Sequence, residues 1–213
     1  MESIIELKNI RKTYGDHVVL DDFNLSVEKG KMVALVGKSG SGKTTVLNIM
    51  GLLEKPDSGT VIVCGNTNVL PNSAKSVSIL RNKIGYLFQN FALIDNETIG
   101  DNLEIPLIYS KKGKPGKDKL KKEALIRVGL SNSLNQKVSE LSGGEQQRVS
   151  IARILLKPCE IILADEPTGS LDKENGNKVL ELLKTLNKEG KTVVIVTHDL
   201  YVSDLCDVTI TLS

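Results

Sequence analysis

Residues 37–44 read Gly37-Lys38-Ser39-Gly40-Ser41-Gly42-Lys43-Thr44, which matches the pattern G-x-x-x-x-G-K-[ST]. This octapeptide follows the apolar run Met32–Val36, typical of a buried strand, and precedes a predicted helix over Thr44–Leu53. Glycines in such a loop let successive backbone N–H groups point at phosphate oxygens, and the dipole of the following helix acts at the same point. The octapeptide therefore predicts a phosphate-binding loop between a strand and a helix.

The last two residues of the octapeptide fit the chemistry of a bound nucleoside triphosphate. A lysine at this place pairs with the β- and γ-phosphates, and a hydroxyl residue beside it holds Mg²⁺. We therefore expect Lys43 and Thr44 to take these roles. A flexible Gly-Ser loop would share the composition, but it would not explain why Lys43 and Thr44 stand where a helix begins.

Two acidic residues follow a second apolar strand, predicted over Ile161–Ala164. Parallel sheets present ligands at the carboxyl ends of their strands, where Asp165 and Glu166 emerge. We expect Asp165 to hold Mg²⁺ through water and Glu166 to polarise an attacking water as general base. Neighbouring residues of an extended chain point to opposite sides, so different tasks are expected for the two carboxylates. The alternative for either is a surface acid at a strand end.

A second anion-binding helix start is predicted at Leu141-Ser142-Gly143-Gly144-Glu145. Ser142 and Glu145 have the spacing of a capping box, and Gly143 and Gly144 leave backbone N–H groups uncovered. One nucleotide does not need two such helix starts in the same chain. We therefore expect this one to serve a nucleotide held by another subunit.

The remaining pattern predicts an α/β fold, because strands and helices alternate in the final third. The first third indicates antiparallel strands, and residues 90–137 are expected to be mainly helical, with a loop at Gly113–Gly116. The predicted elements, besides those already given, are strands over Ile4–Leu7, Val18–Leu20, Leu25–Val27, Gly59–Gly65, Thr192–Val196 and Val208–Leu212, and helices over Ser142–Leu156 and Lys173–Lys188.

Composition excludes several classes of function. Lys and Arg total 28 against 26 Asp and Glu, a net charge of +2, which argues against a broad nucleic-acid-binding face. Two histidines, no tryptophan and three widely spaced cysteines exclude a stacked-base RNA platform, a His-rich metal site and a disulfide framework. The sequence shows neither a signal-peptide pattern nor an apolar run of about 18–20 residues. We therefore expect a cytoplasmic protein without a nucleic-acid partner, whose membrane role depends on another chain.

Lysines are concentrated in residues Lys111–Lys122, which carry seven of them against one aspartate. A charge run of this kind is usually a solvated face, and that is the expectation here. The alternative is contact with anionic lipid headgroups.

Together these motifs resemble the ATP-binding cassette (ABC) ATPases, the nucleotide-binding subunits of ABC transporters. The matched motifs are Walker A at Gly37–Thr44, the signature at Leu141–Glu145, Walker B at Ile161–Glu166, the D-loop at Ser170-Leu171-Asp172, the Q-loop Gln89, the switch His198 and the A-loop Tyr14. They occur in family order and cover nearly the whole chain. The signature departs in one place, since Glu145 stands where glutamine is commoner.

The resemblance implies a P-loop NTPase core with a mostly parallel sheet, an N-terminal antiparallel β subdomain and an inserted α-helical subdomain. It implies a single domain over residues 1–213, with the core at 1–89 and 158–213 and the helical subdomain at about 90–157. The nucleotide-binding residues it implies are Tyr14, Gly37, Ser39, Gly40, Ser41, Gly42, Lys43, Thr44, Thr45, Ser142, Gly143 and Gly144.

Particular roles also come from the resemblance. Tyr14 would stack on adenine, and Gln89 would touch Mg²⁺ or the attacking water. His198 would hydrogen-bond the γ-phosphate and orient the water beside Glu166. Ser142, with Gly143 and Gly144, would close over the γ-phosphate of the facing subunit, and Asp172 would link the two sites.

The implied assembly is a homodimer with two ATP molecules between its subunits, docked on a separate membrane permease at the inner face of the membrane. The stretch Ala164–Asp172 resembles the lipoprotein-release, macrolide-export and cell-division branch, so we expect an exporter of peptide, lipoprotein or drug-like substrates. The alternative is a non-transporting ATPase of the cell-division type. A chromosome-type ATPase needs a long coiled coil, for which Thr44–Leu141 is too short, and a translation-type factor carries two cassettes.

Overall fold

The computed structural model describes residues 2–131 and 133–212. The strands are β1 (Ser3–Tyr14), β2 (His17–Glu28), β3 (Met32–Gly37), β4 (Ser58–Val63), β5 (Asn66–Thr67), β6 (Ile84–Leu87), β7 (Ile161–Asp165), β8 (Thr192–Thr197) and β9 (Val208–Leu212). The helices are α1 (Lys43–Met50), α2 (Ala74–Asn82), α3 (Ile99–Glu104), α4 (Lys114–Arg127), α5 (Gly143–Leu155), α6 (Lys173–Lys188) and α7 (Leu200–Asp204), with 3₁₀ turns at Ile105–Leu107 and Val138–Glu140.

A parallel sheet in the order β6-β7-β8-β3-β9 forms the centre of the molecule. Strands β7 and β8 are buried along their whole length, as their continuous apolar sequences predict for a sheet covered on both faces. Successive side chains of β8 point to opposite faces. Val194 and Val196 belong to the apolar cluster shared with α1 and the antiparallel sheet, whereas Val193 and Ile195 pack with the residues of α5 and α6.

The second sheet is antiparallel, in the order β2-β1-β4-β5. The prediction of antiparallel strands near the N-terminus is therefore confirmed. The prediction of two separate short strands over Val18–Leu20 and Leu25–Val27 was wrong, because one continuous strand, β2, covers both ranges. The β1–β2 pairing passes through irregular register shifts, and Asn9 and Asp22 adopt positive φ of 52° and 49° there. Such bulges let exposed polar residues interrupt the apolar alternation without ending the strand.

The middle of the chain contains less helix than predicted over residues 90–137. Within the described residues 90–131, only α3, α4 and the short turn between them are helical. The prediction of a loop at Gly113–Gly116 was wrong, since α4 begins at Lys114 with Pro115 in its first turn. Proline suits that turn because its φ is already helical and its missing N–H is not needed there. Helix α1 ends at Met50, three residues earlier than predicted, and α2 was not predicted.

The lysine-rich segment is only partly a solvated face, which corrects that expectation. Lys117 and Lys121 pair with Glu104 at 2.5 and 2.6 Å, and Lys121 is buried. Two of the seven lysines therefore attach α4 to the end of α3. In the described part of the chain, no helix combines the length and apolar character that crossing a membrane requires.

Candidate functional site

A cavity of about 680 Å³ opens at the carboxyl ends of β3, β7 and β8. The loops that leave these strands, the loop that leaves β6 and Val19 of β2 form its wall. Its lining residues are Val19, Gly37, Lys38, Ser39, Gly40, Gly42, Lys43, Thr44, Thr45, Gln89, Asp165, Glu166, Gly169, Val196 and His198. The structure thus brings together motifs that are up to 161 positions apart, from Gly37 to His198.

The Gly37–Thr44 loop needs glycine at two places for steric reasons. Gly42 has φ 87°, and a Cβ there would lie 2.7 Å from Val19 Cγ1. A Cβ on Gly37 would lie 2.6 Å from the carbonyl oxygen of Leu212 and from Ser41 Oγ. Both contacts are closer than real side chains allow, so the loop keeps its curvature only with glycine.

Lys43 is buried, and its ammonium is turned back into the loop. The Nζ donates to the carbonyl oxygens of Gly37 and Lys38, at 2.8 Å each. Ser41 Oγ is buried and has no hydrogen-bond partner among the described residues. The loop therefore holds two buried donors, the Lys43 ammonium and the Ser41 hydroxyl. Phosphate oxygens would be suitable acceptors for both.

Oxygen donors for a divalent cation meet at the inner end of the cavity. Thr44 Oγ1 donates to Asp165 Oδ1 at 3.4 Å, and Gln89 lines the same space. Burial raises the pKa of Asp165, with the Thr44 hydrogen bond opposing and the neighbouring Glu166 reinforcing the shift. Hydroxyl, carboxylate and amide oxygens are the ligands that Mg²⁺ takes in nucleotide sites, so these residues fit the ion.

Glu166 and His198 meet at the rim of the cavity. His198 Nδ1 lies 2.8 Å from Glu166 Oε1, and the backbone N–H of Glu166 donates to the carbonyl of Val196. Glu166 adopts φ 44°, so the expectation that it continues an extended chain and points away from Asp165 was wrong. The left-handed turn directs both carboxylates into one cavity, while His198 is largely exposed.

Tyr14 lies at the end of β1, about half exposed, next to the cavity rather than in its lining. Its hydroxyl donates to Glu54 and lies 3.5 Å from Thr45 Oγ1. Burial and then the Glu54 contact raise the pKa of Tyr14. Glu54 was not among the predicted site residues, because no motif marks it.

The signature residues lie apart from this cavity. The predicted capping box is confirmed: Ser142 N–H donates to Glu145 Oε2 at 2.9 Å, and Glu145 N–H donates to Ser142 Oγ at 3.4 Å. Ser142, Gly143 and Gly144 do not appear in the cavity lining. Asp172 caps α6, accepting the Asn175 N–H at 2.9 Å, and this bond holds the pKa of Asp172 below its usual range.

Arg153 is a second residue that the sequence analysis missed. Its guanidinium donates to the carbonyl oxygens of Ala92 and Phe91, at 2.5 and 3.2 Å. Both acceptor residues have positive φ, in the loop that follows Gln89. An arginine inside a helix carries no sequence signal for such a contact, so only the structure identifies it.

Comparison with known proteins agrees with this architecture. The family profile described as "ABC transporter" matches residues 20–169. The macrolide export ATP-binding/permease protein MacB of Pasteurella multocida is 44% identical over 99% of this chain, and that of Bartonella quintana is 42% identical over 95%. These matches cover 33% and 31% of the relatives, so the chain spans about a third of their length.

Solved structures give the same result. The dimeric post-hydrolysis structure of the ATP-binding cassette MJ0796 bound to ADP and Pi has a TM-score of 0.89 and 42% identity, covering 98% of this chain and 94% of that one. The cbiO1 structure from Clostridium perfringens, part of the transporter complex cbiONQ, has a TM-score of 0.86 and 26% identity, covering 100% and 86%. Profile, curated relatives and solved structures thus agree, and the chain belongs to the ABC transporter family.

Proposed function

We propose that this chain binds and hydrolyses ATP to ADP and phosphate and thereby powers an exporter. The observation that carries the proposal is the contact between Glu166 and His198, 2.8 Å long, at the rim of a cavity walled by the Gly37–Thr44 loop. A carboxylate held by a neighbouring group beside a phosphate cradle is the arrangement that activates water for phosphoryl transfer.

Binding in this proposal depends on the residues around the loop. Lys43, which now donates to two loop carbonyls, would turn to the β- and γ-phosphates. Thr44, Asp165 and Gln89 would hold Mg²⁺, which neutralises phosphate charge when bound. Ser39–Thr45 would surround the phosphates with backbone N–H groups, and Tyr14 would stack on the adenine.

The chemical step is assigned to the pair at the rim. Glu166 would take the proton of the water whose oxygen attacks the γ-phosphorus, as the bond to the leaving ADP oxygen breaks. His198 would hold the Glu166 carboxylate in place and donate a hydrogen bond to the γ-phosphate. These groups act by position and charge rather than by forming a covalent intermediate.

We also propose that two copies close head to tail around two nucleotides. Ser142, Gly143 and Gly144 stand at the start of α5, outside the chain's own cavity, where backbone N–H groups could meet a partner's γ-phosphate. Asp172, capping α6, would lie between the two sites. The dimeric structures of the similar cassette MJ0796 support this arrangement.

Export through a membrane permease is the role we propose for the assembly, with this chain at the cytoplasmic face. The MacB relatives are named as macrolide export ATP-binding/permease proteins, which supports an export role over the cell-division alternative. Peptide, lipoprotein or drug-like substrates remain our proposal. We likewise propose that residues 90–157 form a helical subdomain inserted between core segments 1–89 and 158–213.

The Glu166→Gln variant tests the proposed chemistry. It keeps the shape and the hydrogen-bond acceptor but removes the base, so ATP binding should persist while turnover falls at least about 100-fold. Size-exclusion chromatography with ATP should then show a trapped dimer. Undiminished turnover would remove Glu166 from its role.

A pair of lysine variants tests the phosphate cradle. Lys43→Ala should abolish ATP binding measured by calorimetry, because the loop loses its buried ammonium. Lys75→Ala, an exposed lysine of α2, is the matched control and should bind ATP normally. Micromolar binding by Lys43→Ala would contradict the cradle assignment.

A further inference from the structure

Three neighbours hold the aromatic ring of Tyr14. The hydroxyl donates to Glu54 Oε1 and lies 3.5 Å from Thr45 Oγ1. The ammonium of Lys12 lies 5.1 Å from the ring centroid, within the range of a cation–π contact. The hydroxyl and one face of the ring therefore have partners. Because the side chain is still about half exposed, the opposite face is where a planar ligand could stack.

Glu54 is also held by Lys12, which contacts the same carboxylate oxygen as the Tyr14 hydroxyl. Lys12 Nζ lies 3.0 Å from Glu54 Oε1 and also donates to the carbonyl of Lys55 at 3.0 Å. The two side chains are only 13% and 21% exposed, so this pair is better ordered than an ion pair in open solvent. The Tyr14 hydroxyl thus donates to a carboxylate, Glu54, that Lys12 holds in place.

The segment of residues 54–57, which contains Glu54, contacts β1 at a second place. Asp57 Oδ2 accepts from the Thr13 N–H and from Thr13 Oγ1, at 2.7 Å each. Residues 54–57 follow α1, whose first residues belong to the phosphate-binding loop. The contacts of residues 54–57 with β1 therefore connect the end of β1, where Tyr14 lies, to α1. Because α1 begins in the phosphate-binding loop, they also fix the distance between Tyr14 and that loop.

We propose that Glu54 is a positioning residue that sets the Tyr14 ring as the platform for the purine of ATP. This inference rests on the proposed ATP-binding function and deepens it. Glu54 acts through Tyr14 and does not itself touch the nucleotide. Without the carboxylate, the ring loses the partner that limits its rotation, and the base loses an ordered surface to stack on.

Four variants test this role. Glu54→Ala should raise the KM for ATP about fivefold and leave kcat within about twofold, because the chemical groups lie elsewhere. Glu54→Gln keeps an acceptor oxygen and should restore the KM. Tyr14→Phe removes the other half of the contact and should match Glu54→Ala. The double variant should show no further rise, since both changes break one interaction.

Asp21→Ala is the matched control, because Asp21 pairs with Arg11 at 2.7 Å on the same sheet, away from Tyr14. It should leave the KM unchanged. Circular dichroism shows whether each variant is folded, and Tyr14→Phe decides the question if Glu54→Ala is not. A normal KM in both variants, or additive effects in the double variant, overturns the role of Glu54 while ATP binding stands. Failure of the unmodified chain to bind ATP would instead overturn the proposed function.

Discussion

Glu166 Oε1 lies 2.8 Å from His198 Nδ1, although the carboxylate is largely buried and the imidazole is largely exposed. The contact leaves one ring nitrogen of His198 facing outward from the pair. The imidazole can therefore contact the carboxylate through Nδ1 and a ligand in the cavity through its other ring nitrogen, without being buried.

His198→Ala should lower kcat about 100-fold and change the affinity for ATP by no more than about threefold. The reason is that the Glu166 carboxylate loses the partner that holds it, while the phosphate loop is untouched. Steady-state ATPase assays and calorimetry measure the two quantities. His17→Ala, at the exposed start of β2, is the control and should behave as the unmodified protein. Equal loss in both histidine variants would refute the assignment.

The backbone at Glu166 stores strain that glycine would relieve. At φ 44°, a residue with a Cβ costs about 1 kcal/mol more than glycine. The free energy of unfolding of Glu166→Gly, measured in urea titrations, should therefore be about 1 kcal/mol higher than that of Glu166→Ala. Both variants should be inactive. In the middle of α6 the order reverses, because Glu181→Gly should be about 1 kcal/mol less stable than Glu181→Ala. The same order at both positions would show that Glu166 is unstrained.

The two signature glycines should differ in their tolerance of alanine. A Cβ on Gly144 would lie 2.6 Å from Asn175 Cγ and 2.9 Å from its Cβ, whereas a Cβ on Gly143 meets only ordinary contacts. Asn175 cannot move away freely, since it bonds to Asp172 and Arg148. Gly144→Ala should destabilise the chain by about 2 kcal/mol and Gly143→Ala by close to zero, measured by thermal unfolding. Similar values for the two would contradict this packing.

The attachment of α4 to α3 should depend on pH. Hydrogen bonds from Lys117 and then Lys121 hold the pKa of Glu104 below its ordinary 4.5. A lowered folded-state pKa means that its stabilisation is present above 4.5 and is lost as the pH falls through the folded value. Glu104→Gln should therefore be less stable than the unmodified chain at pH 7, and the difference should shrink below pH 4.5. Glu123→Gln, which breaks only an exposed pair with Lys119, should show no such trend in urea titrations.

Much of the fold could be predicted because its signals are local. The apolar run of β7, the octapeptide that leads into α1 and the capping box of α5 each depend on residues that are neighbours in sequence. The left-handed Glu166 and the buried Lys121 were not predicted, since their partners His198 and Glu104 are not their neighbours in sequence. The continuous β2 was not predicted because register shifts in its pairing with β1 interrupt the apolar alternation. Glu54 and Arg153 belong to the same group, because their hydrogen bonds reach 40 and 61 positions away.

Strands β7 and β8 pair in parallel with Asp165 opposite Val196, and the chain makes the whole of α6 between them. The contact of Glu166 with His198 is therefore determined by where two neighbouring strands end, and not by the 32 positions that separate the residues. Insertions or deletions after α6 could accumulate over evolution without moving either side chain. A shift of one residue in the pairing would separate them, so divergence of this chain is constrained by sheet register more than by the sequence between the strands.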